Sequence, residues 1–322
     1  MFAGPASAQS AWPGQTNRSG VNGDPIIDRA SVEAFGDWRG RPMGVAVVYT
    51  NRSDWNAMTR GSGWVFDNFS GFPGQLVISQ GLVPDGHSSD LAACGTGQFD
   101  SYFRDFGSLM VRAGRADSIV RLGWEFNGDW FAWGAANTQQ WIACYRRAAL
   151  AIRAANPAAV FDWTINSKGT PGHLCGGTST NCYPGDDVVD IVGIDNYDMG
   201  PSAANEQQFN DIADAKDGLN WLLAFARAHG KRFAVGEWGV APNSAYNQTG
   251  DNDQFVLWMH QWFQNHAADL AYESYFNHCS ADVGSNLYRS GGKGCPQNPR
   301  AGNMYVNLFG DPARATDPLL DR

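Results

Sequence analysis

A parallel β-strand is indicated by residues 188–194, which read Val188-Val189-Asp190-Ile191-Val192-Gly193-Ile194. The run is almost continuously apolar, which is typical of a strand buried on both faces beneath helices. It ends in a polar and aromatic group, Asp195-Asn196-Tyr197-Asp198, where the strand would reach the edge of its sheet. The pattern predicts a parallel sheet with polar side chains at its carboxyl edge.

Seven further apolar runs have the length of a strand, and segments with helical periodicity separate most of them. These strand candidates are residues 45–49, 64–66, 76–79, 118–124, 160–164, 233–235 and 271–276. The predicted helices are residues 53–58, with Ser53 as the N-cap, and residues 102–113, 138–155, 217–229 and 253–266. Eight strands joined by helices predict the α/β class and a single (β/α)8 TIM barrel.

The amino-terminal region differs in composition from the rest of the chain. Residues 1–35 are rich in Gly, Pro, Ser and Asn, so they are expected to form an irregular N-terminal arm, with residues 36–322 as the catalytic barrel. Near its start, the arm contains Ala6-Ser7-Ala8, a stretch similar to the end of a secretion signal. This stretch predicts a secreted, extracellular protein. No run approaches the ~20 apolar residues of a membrane span.

Six cysteines also favour an oxidising compartment, because they show neither the CxxC spacing nor the interleaved histidines of a zinc site. The short separations favour the pairs Cys175–Cys182 and Cys279–Cys295, which leaves Cys94 to pair with Cys144. The six histidines show no metal-binding spacing, and the glycines form no GxGxxG turn. The sequence therefore predicts no metal and no cofactor.

Charge and aromatic content narrow the class of ligand. The chain has a net charge of −9 and contains 13 Trp, 10 Tyr and 18 Phe. Aromatic rings stack on sugars and on nucleic-acid bases, but an acidic chain repels a phosphate backbone. A polysaccharide or oligosaccharide is therefore expected as the partner, and nucleic acid is not. The expected oligomeric state is a monomer.

Two glutamates stand where strands of the predicted barrel end. Glu125 lies in the tryptophan-rich residues 121–134, RLGWEFNGDWFAWG, after the fourth strand candidate, and Glu237 lies in Gly236-Glu237-Trp238-Gly239 after the seventh. Active sites of such barrels form at the carboxyl ends of the strands. A pair of carboxylates, one acid and one nucleophile, is what glycoside cleavage requires. A salt-bridged residue at the barrel end is the alternative for a single glutamate, and two matching contexts argue against it.

The surroundings of the two glutamates suggest different roles. Burial against Trp124, Trp130 and Phe131 would raise the pKa of Glu125, as a general acid needs. Arg121 and Tyr197 are candidate hydrogen-bond donors to an ionised Glu237. Indole rings in glycine-rich loops beside the carboxylates are expected to bind sugar, and these are Trp130, Trp133 and Trp238.

These motifs resemble the glycoside hydrolase family 26 enzymes, members of the retaining (β/α)8 clan A that include β-mannanases. Residues 121–134 are similar to the family pattern R-x-x-H-E-x-N-G-x-W-F-x-W-G, residues 189–197 to its strand six, and residues 236–239 to its strand seven. The resemblance spans about residues 40 to 280. It implies Glu125 as acid/base and Glu237 as nucleophile, with these substrate-binding or supporting residues: Arg121, Trp124, Asn127, Trp130, Asp195, Tyr197, Trp238 and Tyr275.

Two positions depart from the family pattern. Trp124 replaces the histidine that precedes the acid/base, and Ser274-Tyr275-Phe276-Asn277 replaces the tryptophan platform of strand eight. The expected activity is endo-hydrolysis of a β-linked polysaccharide, β-mannan first and β-glucan or xylan second. The alternatives are an exo-acting glycosidase on another cell-wall polysaccharide and a non-catalytic carbohydrate-binding barrel.

Overall fold

A computed structural model describes residues 18–23, 26–279, 282–288 and 298–311. Within them, eight parallel strands form a closed barrel in chain order, with the first strand paired to the last. The strands are β1 Ser19–Asn22, β2 Val45–Tyr49, β3 Gln75–Gln80, β4 Ile119–Leu122, β5 Val160–Asn166, β6 Ile191–Asp198, β7 Arg232–Val240 and β8 Leu270–Phe276. The predicted (β/α)8 barrel is confirmed.

Helices surround the barrel and occupy most of the connections between strands. They are α1 Arg29–Arg39, α2 Trp55–Met58, α3 Gly63–Asn68, α4 Asp90–Gly95, α5 Asp100–Arg112, α6 Thr138–Ala155, α7 Glu206–Asp214, α8 Leu219–Ala228, α9 Asp253–Asn265 and α10 Pro299–Phe309. The bounds of α6 are those expected from the sequence, and the side chain of Asn137 caps its first turn by accepting from the Gln140 backbone N–H. The N-cap of α2 is Asp54 rather than the expected Ser53.

The first strand lies within the segment that was expected to be irregular. Gly20 of β1 pairs with Val45 of β2 and with Ser274 of β8, so this short strand closes the barrel, and α1 begins at Arg29. The prediction of an irregular arm is therefore wrong for β1 and for the start of α1. Residues 1–17, which contain the signal-like stretch, lie outside the described residues. A Cβ on Gly20 would lie 2.9 Å from the Cβ of Val45, so the close pairing of β1 with β2 requires glycine here. The same residue adds to the glycine content that made residues 1–35 look irregular.

A second error compensates for the missed strand. Residues 64–66 form part of helix α3, in which Val65 and Phe66 are buried and Trp64 is exposed. Three apolar residues are too short a run to distinguish a helical turn from a strand. Because one strand was missed and one was added, β4 and β7 keep their places, and the two glutamates still belong to the fourth and seventh strands.

The inside of the barrel changes from apolar to polar along the strands. A small apolar cluster fills the amino-terminal side, and it contains Val45, Val47, Val77, Ile119, Ile191, Ala234 and Tyr272. Above it, the buried carboxylate of Asp162 accepts hydrogen bonds from Tyr272 Oη at 2.6 Å and Thr164 Oγ1 at 2.8 Å. The larger apolar core lies between the strands and the helices. This layering places polar side chains at the carboxyl end of the barrel.

Disulfide bonds join two of the expected pairs. Cys94–Cys144 links α4 to α6, and Cys175–Cys182 closes part of the loop after β5. Cys279 is also in a disulfide, and its expected partner Cys295 lies outside the described residues. Among the helices that the structure describes, none has the length and apolar character needed to cross a membrane.

Candidate active site

The two predicted glutamates meet at the carboxyl end of the barrel. One carboxylate oxygen from each of Glu125, Asp195 and Glu237 forms a group in which all three oxygens lie within 4.8 Å of one another. Glu125 is 8% exposed and Glu237 is 6% exposed, so both lie just below the surface. Two residues separated by 112 positions in the chain are thus brought into one site by the closure of the barrel.

Glu125 follows β4 in a sharp turn. Its φ is 52°, in the left-handed region that glutamate rarely adopts, and its backbone N–H donates to the carbonyl oxygen of Thr164 on β5 at 2.9 Å. Such a conformation costs about 1–3 kcal/mol and is common where a side chain must be aimed at a site. The turn directs Glu125 over the barrel mouth instead of along the strand.

Two donors hold the carboxylate of Glu125. Asn166 Nδ2 donates to Oε1 at 2.5 Å, and Trp130 Nε1 donates to Oε2 at 2.8 Å. Asn127 in turn fixes Asn166, because its Oδ1 accepts from the Asn166 backbone N–H at 2.7 Å and its Nδ2 donates to the Asn166 carbonyl at 2.8 Å. Asn127 is fully buried, and it supports the site from below rather than lining it.

Burial raises the pKa of Glu125 to about 7, and the nearby charge of Glu237 acts in the same direction. The hydrogen bonds from Asn166 and Trp130 and the charge of Arg121 oppose this rise. The expected rise is confirmed in direction and in its main cause. A carboxyl group with this pKa holds a proton in neutral solution for much of the time, as a general acid does.

A bulge in β7 directs Glu237 into the barrel. Ala234 faces the interior and Val235 faces the outer core, so regular alternation would place Glu237 outside. Instead, Val235 pairs with Glu273 and Trp238 pairs with Tyr275, which leaves two residues of β7 opposite one residue of β8. The extra residue reverses the alternation and turns Glu237 inward.

Gly236 in this bulge makes room for the guanidinium of Arg121. A Cβ at position 236 would lie 2.7 Å from Arg121 Nε, closer than such atoms approach. Arg121 is completely buried and donates through Nη2 to both carboxylate oxygens of Asp195, at 2.7 and 2.6 Å. Its Nη1 donates to Glu237 Oε1 at 3.0 Å and to Ser79 Oγ at 2.9 Å. Arg121 therefore ties β3, β6 and β7 together beneath the site.

Two phenols complete the surroundings of Glu237. Tyr197 Oη donates to Oε2 at 2.7 Å, and Tyr49 Oη donates to Oε1 at 2.8 Å. The expected donors Arg121 and Tyr197 are thus both in contact with Glu237, and Tyr49 is an additional one. With three donors, the charge of this carboxylate is stabilised despite its burial.

The carboxylates of Glu125, Asp195 and Glu237 lie close to the buried guanidinium of Arg121. Burial raises the pKa of Asp195, while the charge of Arg121 acts in the opposite direction. The three carboxylates are close enough to share a metal ion. The guanidinium of Arg121 already forms ion pairs with Asp195 at 2.6 Å and Glu237 at 3.0 Å, so it supplies positive charge to two of the three.

The tryptophans expected to bind sugar differ in position. Trp130 is 53% exposed beside Glu125, as a wall of a sugar-binding cleft would be. Trp124 is almost fully buried and packs against Tyr49, with ring centroids 5.7 Å apart. Trp133 and Trp238 are completely buried, so the prediction that they bind sugar is wrong. Their indole N–H groups donate to the Trp124 carbonyl and to Glu273, respectively, which explains their place in the core.

The residue of β8 that faces the site is Phe276, not Tyr275. Tyr275 is fully buried on the outer side of the barrel, where its hydroxyl donates to the carbonyl of Ser285 at 2.8 Å. Phe276, one residue later, packs edge-on against Tyr197 with ring centroids 5.6 Å apart. The alternation of side chains along a strand accounts for the correction, because a shift of one position changes the face.

The sequence reasoning missed three polar residues of this site: Asn22, Tyr49 and Asn166. Tyr49 and Asn166 are the last residues of β2 and β5, and Asn22 is the last residue of β1. Their common signal is the carboxyl-terminal position on a barrel strand, the place where site residues collect. Applying that rule to every strand candidate would have found Tyr49. Asn22 could not be found in this way, because β1 was not among the strand candidates.

Comparison with known proteins finds similar sequences and structures. Residues 112–237 match the family model described as Glycosyl hydrolase family 26, and this segment contains both glutamates. A mannan endo-1,4-beta-mannosidase from Bifidobacterium adolescentis is 27% identical over 193 residues. That alignment covers 57% of this chain and 18% of the length of the relative.

Solved structures share the fold. The catalytic domain of the Bacillus sp. JAMB-750 GH26 endo-beta-1,4-mannanase has a TM-score of 0.62 and 17% identity, and the comparison covers 92% of this chain and 88% of that one. A modular endo-beta-1,4-mannanase from Cellulomonas fimi has a TM-score of 0.59 and 18% identity, with coverages of 87% and 66%. The resemblance expected from the sequence is confirmed: over residues 112–237 the chain is similar to glycoside hydrolase family 26.

Proposed function

We propose that this protein is a retaining endo-glycosidase that hydrolyses a β-linked polysaccharide without a cofactor. The observation that carries the proposal is the pair Glu125 and Glu237, with carboxylate oxygens within 4.8 Å of each other. Retaining glycosidases hold their two carboxyl groups about 5–5.5 Å apart, whereas inverting enzymes leave a wider gap for a water molecule. The short separation favours retention.

In this mechanism Glu237 attacks the anomeric carbon while Glu125 gives its proton to the departing glycosidic oxygen. The bond from the sugar to that oxygen breaks, and an ester bond from the sugar to Glu237 forms. Glu125, now ionised, then removes a proton from water as the water attacks the same carbon, which releases Glu237. The raised pKa of Glu125 suits both of its tasks.

Glu237 and Glu125 are surrounded by groups that fit these roles. Arg121, Tyr49 and Tyr197 donate to Glu237 and would stabilise its charge before attack. Trp130 is exposed next to Glu125 and offers an aromatic face to the departing part of the substrate. Asp195 supports the site by fixing Arg121.

β-Mannan is the first substrate to test, because the relatives compared above include a mannan endo-1,4-beta-mannosidase and two endo-beta-1,4-mannanases. β-Glucan and xylan are second. Trp124 in place of histidine and Phe276 in place of tryptophan remove two features of the mannanase pattern that the sequence resembles. These two changes are the reason for testing β-glucan and xylan beside β-mannan.

The test is the release of reducing sugar from β-mannan, mixed-linkage β-glucan and xylan by wild-type protein and by Glu237→Gln. The expected result is activity on one of them and a loss of at least about 10³-fold in the variant. Proton NMR of the first product should show the anomeric configuration of the substrate. Initial formation of the opposite anomer would contradict the retaining mechanism.

Two alternatives are separated by the same samples. An exo-acting enzyme would release one short product from the start, whereas an endo-acting enzyme produces a range of chain lengths. A non-catalytic binding barrel would bind a polysaccharide equally well before and after Glu237→Gln and would release no sugar. Glu125→Ala, rescued by added azide on a substrate with a good leaving group, would further support Glu125 as the acid/base, because azide attacks the sugar bound to Glu237 without needing a base.

We also propose a secreted monomer. Disulfide bonds at Cys94–Cys144 and Cys175–Cys182 are typical of proteins from an oxidising compartment. Detection of the protein in culture medium rather than in the cell lysate tests its location. Light scattering coupled to gel filtration tests the monomer against a mass of 35.0 kDa.

A further inference from the structure

We propose that Tyr49 is a positioning residue for the nucleophile, held in place by Asn22, so that Glu237 depends on a phenol from β2 as well as on Arg121 and Tyr197. This inference rests on the proposed function, in which Glu237 attacks the sugar. Tyr49 belongs to neither the strand-four motif nor the motifs of strands six and seven, and it comes from the opposite side of the barrel. Its assignment follows from a chain of hydrogen bonds across the barrel mouth.

The direction of the hydrogen bond from Tyr49 is fixed by its second partner. Asn22 Nδ2 donates to Tyr49 Oη at 2.8 Å, which uses the phenol oxygen as an acceptor. The single hydroxyl hydrogen of Tyr49 is then free to point at Glu237 Oε1, 2.8 Å away. Burial and the charge of Glu237 raise the pKa of Tyr49 well above its ordinary value, so the phenol keeps this hydrogen.

Tyr49 is also rigidly placed. Its ring packs against Trp124, which is itself packed against Trp133 at a centroid distance of 4.7 Å. Trp124, which precedes Glu125 in the chain, thus also supports the phenol that contacts Glu237. The substitution of tryptophan for the histidine of the family pattern is therefore coupled, through Tyr49, to the surroundings of the nucleophile.

The two oxygens of Glu237 have different surroundings. Oε1 accepts from Tyr49 and Arg121, whereas Oε2 accepts from Tyr197. Removing the Tyr49 hydroxyl would leave Oε1 with one donor and would disfavour the ionised carboxylate. The titratable and charged groups that face Glu237 are Tyr49 from β2, Arg121 and Glu125 from β4 and its turn, and Asp195 and Tyr197 from β6.

The experiment is a carbon-13 NMR titration of protein labelled at the glutamate carboxyl carbons. The chain has five glutamates, so five signals are expected, and the spectrum of Glu237→Gln identifies the one from Glu237. In Tyr49→Phe the midpoint of the Glu237 titration should move upward from its wild-type position, because the charged carboxylate loses one of its hydrogen-bond donors. Asn22→Leu should move it in the same direction by less.

The matched control is Tyr145→Phe. Tyr145 is a fully buried tyrosine of helix α6, and its hydroxyl has no hydrogen-bond partner among the described residues. This variant should leave the Glu237 titration unchanged, and thermal unfolding of all variants shows whether each one is folded. An unchanged midpoint in folded Tyr49→Phe, or an equal shift in Tyr145→Phe, would overturn the proposal.

A kinetic measurement adds a second readout on the substrate that wild-type protein hydrolyses. The acidic limb of kcat/KM in Tyr49→Phe should move upward with the NMR midpoint, and kcat should fall by about tenfold or more while KM changes little. A purely structural role for Tyr49 would lower the amount of folded protein without moving the limb. The NMR titration needs no substrate, so it tests the contact between Tyr49 and Glu237 separately from the proposed function. If wild-type protein hydrolysed no substrate, the proposed function would be refuted, but the titration could still be measured.

Discussion

Trp238 and Glu273 are joined by a buried hydrogen bond on the outer side of the barrel, in which the indole Nε1 donates to Glu273 Oε2 at 2.6 Å. Trp238 follows Glu237 directly in β7, and its ring packs against Tyr275 and Phe309. The bond and the packing hold the outward-facing residue next to the β7 bulge. They therefore contribute to the inward direction of Glu237.

Glu273→Gln is expected to change stability in a pH-dependent way. Burial raises the pKa of Glu273 to about 7, above its ordinary value of 4.5. Between these values the folded protein binds more protons than the unfolded chain, so the contribution of Glu273 to stability falls as pH rises. Glutamine keeps an acceptor for Trp238 and does not ionise. The variant should gain about 1–3 kcal/mol over wild type at pH 8 and little at pH 4.5.

Urea unfolding at pH 4.5 and pH 8 measures this difference. Glu33→Gln is the control, because Glu33 lies in an exposed pair with Arg29 on α1. An equal free-energy difference at both pH values would show that Glu273 does not titrate in the folded protein.

Trp130→Phe is expected to move the basic limb of the pH–rate profile. The indole N–H of Trp130 donates to Glu125 Oε2, and this bond lowers the pKa of Glu125. Phenylalanine keeps an aromatic face but lacks the donor, so the pKa of Glu125 should rise further. A general acid that stays protonated to higher pH keeps the enzyme active to higher pH. The basic limb, expected near pH 7 in wild type, should shift upward by up to about one unit.

The profile of kcat/KM on the hydrolysed polysaccharide measures the shift. Trp141→Phe is the control, because Trp141 is fully buried and its indole N–H has no partner among the described side chains. A downward shift in Trp130→Phe, or the same shift in both variants, would refute the assigned effect on Glu125.

Gly236→Ala is expected to abolish most activity while the barrel still folds. The added methyl group would meet Arg121 Nε at 2.7 Å, so the guanidinium must move away from Glu237. Catalytic groups displaced by about 1 Å lose on the order of 10²-fold in rate. Comparison of kcat with Gly63→Ala tests this, since Gly63 has open space where its Cβ would be. Near-normal kcat in folded Gly236→Ala would contradict the role given to the bulge.

Trp124→His restores the residue of the family pattern and is expected to alter substrate preference without altering stereochemistry. The imidazole is smaller and polar, so it changes the packing against Tyr49, but it removes none of the side chains that donate to Glu125 and Glu237. Initial rates on β-mannan, β-glucan and xylan measure the preference, and proton NMR of the first product measures the configuration. If the first product of the variant had the opposite anomeric configuration, the expectation that residue 124 does not affect the two-glutamate mechanism would be refuted.

Much of the site was predictable because its residues belong to local motifs. Glu125 and Glu237 each end an apolar run and have a tryptophan next to them in the chain, and Arg121 and Tyr197 were expected as donors to Glu237. Tyr275 and Trp238 were misplaced, since the bulge and the exact strand bounds decide which face each side chain occupies. Those features depend on pairing with neighbouring strands, which local sequence does not specify.

The sequence by itself determined the alternation of strands and helices, and with it the barrel and the end of the barrel where polar residues collect. Hydrophobic periodicity and strand-end position are local properties of the chain, which is why they could be read directly. Only the tertiary structure decided that Ser19–Asn22 closes the barrel, that Asn22 contacts Tyr49 and that Tyr49 contacts Glu237. The paired residues of β1 and β8 are 254 positions apart in the chain, as Ser19 and Glu273 are, and they meet because eight strands share one closed network of hydrogen bonds.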